Sequence, residues 1–126
     1  MLFKREITKK HILTGAYGEV LARRFLLKKG YKIIKKNFKN KVGEIDIIAM
    51  DGDKLVFVEV KTRTGDTFGS PMDAIDYKKK RKMIDTAQSY LKDKDIEYGV
   101  RFDIIGVRLF AGFKKEIEHI IDAFEL

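Results

Sequence analysis

The 126-residue chain has no cysteine and no tryptophan, a single proline and two histidines. Without cysteine, a disulfide framework and thiolate metal ligation are both excluded, and a zinc site would have to rest on His11 and His119 with carboxylates. No apolar stretch approaches the roughly 18 residues of a membrane span. The opening Met1-Leu2-Phe3-Lys4-Arg5 lacks the apolar run of a signal peptide. These absences predict a cytoplasmic protein without a membrane partner. Repeats, linkers and low-complexity tracts are also missing, and the length suits one domain, 1–126.

Positive charge is abundant: 27 Lys and Arg against 19 Asp and Glu leave a net charge of +8. Such a balance suits a polyanion, with DNA as the expected partner, although membranes and acidic proteins are anionic too and basicity alone does not choose. Lys78-Lys79-Lys80-Arg81-Lys82 form one block, and Lys28 to Lys41 a looser second cluster. Five consecutive helix positions cannot all face one DNA strand. Phosphate contacts are therefore expected from Lys78, Lys79 and Lys82, and the plain alternative is a solubilising helix face.

Chemistry is concentrated in a predicted hairpin. Residues 44–50 and 54–63 read as strands rich in Ile, Val and Phe, joined by the turn Asp51-Gly52-Asp53. If Gly52 and Asp53 are the turn, residues whose numbers sum to 105 pair, so Asp46 faces Glu59 and Glu44 faces Lys61. Like charges opposed on one sheet face repel. A divalent cation offsets the repulsion, and hard oxygen ligands suit Mg²⁺ or Mn²⁺, which one or two carboxylates with water and phosphate can hold. Lys61, two residues beyond Glu59, could orient a water or stabilise phosphate charge. The bland reading is a solvated polar face with a cross-strand ion pair. Apolar neighbours on both faces argue against it, because unpartnered buried charge is costly.

Around the hairpin, residues 15–29 read as a helix ended by Gly30, with an apolar stripe of Tyr17, Val20, Leu21 and Phe25. Glu19 flanks that stripe with Ala22 and Leu26. By itself it reads as an ordinary exposed charge. A strand follows over 31–38, and a loop over 64–69. Ser70-Pro71-Met72-Asp73 starts a helical region to about 92, with a break near Asp76 left open. Residues 100–109 form a further strand, in which Asp103 is expected to pair with Arg101 rather than a metal. Ile117, Ile120, Ile121 and Phe124 fit either a helix or an edge strand, and His119 reads as structural, with no identifiable partner. The core order αβββαβ predicts an α/β/α sandwich around a central mixed sheet.

The Asp46 … Glu59-Val60-Lys61 pattern resembles the PD-(D/E)xK signature of restriction-endonuclease-like nucleases, and archaeal Holliday-junction resolvases carry similar segments. A closer resemblance is to the YraN-like bacterial family. It rests on Gly15-Ala16-Tyr17-Gly18-Glu19, Ala22, Phe25-Leu26, Gly30-Tyr31 and Asn37, then on Phe68-Gly69, Lys79, Ala87, Tyr90-Leu91 and Arg101-Phe102-Asp103. The resemblance implies a restriction-endonuclease-like fold and a metal-dependent nuclease acting on DNA, with branched or junction DNA as one substrate form. It makes Glu19 a fourth acid, like the first-helix glutamate of the resolvases. In the implied site Asp46 and Glu59 bind Mg²⁺ or Mn²⁺, the Val60 carbonyl completes the protein ligands, and Glu19 assists or holds a second ion about 3.5–4 Å away. Lys61 positions water, and Arg63 with the 78–82 block grips phosphates. Ile45 stands where the signature's name has proline, and Glu44 is an extra acid: an outer support, a Lys61 partner or another ligand. The rival readings are a non-catalytic nucleic-acid-binding module that keeps the nuclease fold, and an adaptor for an acidic protein; a homodimer stays open.

Overall fold

Val56, Val58 and Val60 on one side and Leu55 and Phe57 on the other make the strand Lys54–Thr64 (β3) apolar on both faces, which suits only the middle of a sheet. The computed structural model describes residues 2–65, 69–94 and 99–125, with side chains from residue 14 onward. In it β3 pairs antiparallel with Glu44–Asp51 (β2) and parallel with Gly99–Leu109 (β4). Lys32–Lys39 (β1) closes one edge and Lys115–Phe124 (β5) the other, both antiparallel to their neighbours, giving the order β1-β2-β3-β4-β5. This is a mixed five-stranded sheet with helices Leu2–Lys28 (α1) and Tyr77–Leu91 (α2), consistent with a restriction-endonuclease-like sandwich.

The hairpin register is the one the turn dictates. Ile47 pairs with Val58, Ile48 with Phe57, Ala49 with Val56, Met50 with Leu55 and Asp51 with Lys54, around Gly52 at φ 59°. One apolar cluster joins Leu21, Ala22 and Leu26 of α1 to Ile47, Val58, Val60 and Ile105. The other joins Met83, Ile84 and Ala87 of α2 to Ile45, Ile48, Phe57 and Phe102. The two helices therefore cover opposite faces of the sheet.

Several elements differ from expectation. α1 begins well before residue 15, and Tyr17 and Val20 are 43% and 36% exposed rather than packed. The buried face is turned toward Gly18, Leu21, Ala22 and Leu26, because Gly18 brings the helix backbone against Thr62 of β3. The helical region breaks at Asp76: a 3₁₀ turn over Pro71–Ala74, capped by Ser70 and Asp73, precedes α2, and the Asp76 carboxylate accepts the Lys79 N–H at 2.7 Å. The Ile-rich tail is an edge strand, fixed by pairs such as Ile104 with Ile120 and Val107 with Ile117. Of the expected loop, residues 66–68 lie outside the described residues.

A Cβ at position 18 would overlap Thr62 Oγ1 and sit 2.8 Å from its Cβ and 2.9 Å from its Cγ2. Gly18→Ala is expected to lower stability by about 1–3 kcal/mol, as overpacking does. Thermal unfolding followed by circular dichroism checks this, and Thr62→Ala in the same chain should recover part of the loss.

Candidate functional site

Strict alternation would place Ile45 and Ile47 on one face, yet Ile45 packs on the α2 side and Ile47 on the α1 side. The break falls at Asp46. On the neighbouring edge strand the residue opposite is Asn37, skipped by the ladder and left-handed at φ 50°. Toward β3 the ladder ends at Ile47 with Val58, and beyond it the Val60 N–H donates to Asp46 Oδ2 at 2.7 Å. Asp46 thus stands where β2 and β3 part, rather than directly across from Glu59. From there it meets an acid on each side of the sheet.

On the α1 side is Glu19, half-buried; burial first, then the charge of Asp46, pushes its carboxyl above the ordinary value. Its flank holds Ala22 and Leu26, both fully buried, so it is no free surface charge. On the α2 side is Glu59, 5% exposed, with Oε1 3.3 Å from Lys79 Nζ and 3.9 Å from Lys61 Nζ. Burial and the Asp46 charge push Glu59 up to about 7, against the opposing pull of the two lysines. The charge of Asp46 thus acts on both of the other acids. Among the described residues no three His, Cys, Asp or Glu side chains converge on a single point.

Two carboxylates are nonetheless enough for magnesium, which leaves much of its shell to water and phosphate. The donors are hard oxygens, and burial first, then the charge of Asp46, makes both of its neighbours hold protons more tightly, which is the crowding of negative charge that a cation offsets. Asp46 and Glu59 fit a divalent cation on those grounds. The Val60 N–H is already engaged by Asp46, while its side chain is buried under α1.

The other candidate residues divide. Glu44 pairs with Lys39 at 3.4 Å in the open, not with Lys61. Lys61 and Arg63 line two clefts, one of about 500 Å³ shared with Glu19, Val60 and Thr62, the other of about 140 Å³ shared with Arg108, Glu116 and Glu118. Lys78 and Lys82 are exposed, and Arg81 is tied to Asp85 at 3.4 Å. Lys79 points at Glu59, so it belongs to the acid cluster before any phosphate. Its alignment with Met83 and Ala87 in sequence was the available signal of that inward placement.

Asp103 lies away from this cluster. Arg101 donates to it at 2.8 and 2.9 Å, His119 Nε2 lies 2.7 Å away, and the Asp122 N–H donates at 3.0 Å. His119, expected to lack a partner, therefore has two, since Lys29 Nζ reaches its Nδ1 at 2.9 Å. Its role is structural. No helix among the described residues is long and apolar enough to cross a membrane.

A family model described as uncharacterised protein family UPF0102 matches residues 18–107. A UPF0102 protein of Caldanaerobacter subterraneus is 45% identical over 95% of this chain and 99% of its own length. One from Thermodesulfovibrio yellowstonii is 47% identical over 87% and 94%. Another, from Rhodococcus jostii, is 42% identical over 90% and 98%.

Proposed function

The chain belongs to the UPF0102 family, and we propose that it is a metal-dependent nuclease that hydrolyses DNA phosphodiester bonds. The observation carrying this reading is the crowding of three carboxyls, Glu19, Asp46 and Glu59, beside Lys61 and a cleft that Glu19, Lys61 and Arg63 line together. The Asp46 … Glu59-Val60-Lys61 spacing of PD-(D/E)xK nucleases supports it, as does the net charge of +8. In this reading the chain acts as one cytoplasmic domain, and branched or junction DNA is the finer substrate choice.

Asp46 and Glu59 would hold Mg²⁺ or Mn²⁺, with the Val60 carbonyl and Glu19 as further oxygen donors. Such an ion supplies charge stabilisation at the phosphate and lowers the pKa of a nearby water. Lys61 Nζ, about a third exposed at the cleft, donates to that water or to a phosphate oxygen. Lys79 Nζ orients Glu59 and pulls it toward the ionised form, against burial and the charge of Asp46. Arg63, Lys78 and Lys82 hold flanking phosphates and carry no base code.

One observation favours the non-catalytic alternative: Lys61 and Lys79 already neutralise Glu59. In that case the acids serve the fold, and the basic surface binds nucleic acid without turnover. Labelled linear, flapped and four-way DNAs, incubated with Mg²⁺, Mn²⁺ or EDTA, separate the two. Cleavage that EDTA stops supports the nuclease. Salt-dependent binding with no cut product under any condition supports the module.

Lys61→Ala discriminates further. The ammonium acts on water or phosphate rather than on metal, so Mn²⁺ affinity measured by calorimetry should persist while turnover falls on the order of tenfold or more. Near-normal turnover would reduce Lys61 to a partner of Glu59.

A further inference from the structure

Two aromatic rings are left almost bare, Phe113 at 96% and Tyr77 at 81% exposed. Phe113 sits in the three-residue loop between β4 and β5 that the Phe110 N–H closes onto the Lys114 carbonyl at 2.8 Å. Gly112 and Phe113 are both left-handed there, at φ 74° and 62°. Glycine takes that conformation freely, but a bulky aromatic does so at a cost. Phe113 buries nothing to offset it, so folding gives no reason for the residue. Tyr77 opens α2 directly after its Asp76 cap and heads the block Lys78 to Lys82.

Both rings lie at the end of the sheet that carries the acid cluster. Lys79, two residues after Tyr77, reaches Glu59. Pro71 abuts Gly106, which pairs with Lys61 across β3 and β4. Arg108 pairs with Arg63, and the Phe113 loop leaves β4 two residues later. Along the chain Lys78 to Lys80 follow Tyr77, and Lys114 and Lys115 follow Phe113.

An exposed flat ring with lysines next to it along the chain suits a base face presented with its phosphate alongside. Duplex DNA keeps its base faces stacked internally, whereas a single strand exposes them, and aromatic stacking with a basic track is how unpaired strands are held. We propose that Phe113 and Tyr77 are stacking contacts for unpaired bases, so that the substrate is DNA with a single-stranded stretch beside the cleavage site. The DNA partner rests on the nuclease reading; the choice of unpaired over paired strands rests on the two rings.

The test is binding in EDTA, where no turnover intervenes, of labelled oligothymidylate and of a duplex, to the full chain and to Phe113→Gly, Tyr77→Ala and the double variant. Glycine relieves the left-handed position and alanine suits a helix start, so melting temperatures should not fall. Each single variant should weaken single-strand binding roughly five- to hundredfold, the double variant more, with duplex binding unchanged. In wild type, 2-aminopurine placed in the strand should be quenched by stacking, and the variants should lose that quenching. Unaltered single-strand affinity in all variants, with DNA binding otherwise intact, overturns the stacking role and leaves the nuclease reading standing. No salt-dependent binding of wild type to either DNA removes both. A wild-type dimer that Phe113→Gly dissociates without changing DNA affinity would make the ring a contact between copies and overturn the proposal.

Discussion

Asp46→Asn is expected to abolish DNA cleavage and leave the fold intact. The amide matches the carboxylate in volume, and its oxygen can still accept the Val60 N–H, so the parting of β2 and β3 is preserved. What disappears is the negative charge that both Glu19 and Glu59 feel. Mn²⁺ affinity should fall by about tenfold or more, since even an outer partner of a metal site is worth that much. Glu59→Gln should do the same. Without metal, however, both variants should be more stable than wild type near neutral pH. Glu59 is pushed up from 4.5 to about 7 in the folded chain, so the folded state binds its proton more tightly than the unfolded one. Wild-type stability therefore drops as pH rises from about 4.5 to about 7, and Glu59→Gln removes that slope. Urea titrations across this range measure it. Unchanged Mn²⁺ affinity in both variants would take away the basis for the site.

Asp103→Ala should give the largest loss of stability of any single change considered. Its carboxylate is fully buried, and its removal strands the Arg101 guanidinium, 14% exposed, together with His119. Breaking a buried ionic partnership on one side costs about 3–5 kcal/mol. Arg101 retains Asp51 at 2.9 Å and the Tyr31 hydroxyl at 2.7 Å, which sets the cost toward the lower end. Burial pushes the Asp103 carboxyl up, but hydrogen bonds from His119, Arg101 and the Asp122 amide outweigh it and hold the group below the ordinary carboxylate range. The stability it contributes is thus present above the unfolded value, about 4, and lost as pH falls below it. Acid unfolding of wild type should include this loss, and the alanine variant should lack it. A destabilisation under about 1 kcal/mol in urea would show that the network contributes little.

Much of this was legible in the sequence. The turn Asp51-Gly52-Asp53 and the valine alternation set the hairpin register, pair for pair over Ile47 to Asp51. The break at Asp46 was not, because apolar residues on both sides of β2 leave no polar alternation to reveal which way each side chain points. Glu19 was ambiguous for a related reason: its neighbourhood depends on Gly18 meeting Thr62, a contact between distant segments. Alignment with Met83 and Ala87 put Lys79 at the border of the packed face, but its partner Glu59 is set by the docking of α2 on the sheet. The tail could be a helix or a strand by spacing, and pairing with β4 decided it.

The left-handed kinks in the two outermost strands bear on how molecules behave when concentrated. A straight outer strand offers a row of open N–H and C=O groups on which another chain can grow as the next strand. β1 is bent at Asn37, is irregular between Ile33 and Lys35, and carries four lysines that repel a copy of itself. β5 is bent at Asp122, whose amide is turned inward to the Asp103 carboxylate. The buried carboxylate thus also spoils an outer edge as a template for fibre growth, so its loss would promote aggregation as well as unfolding.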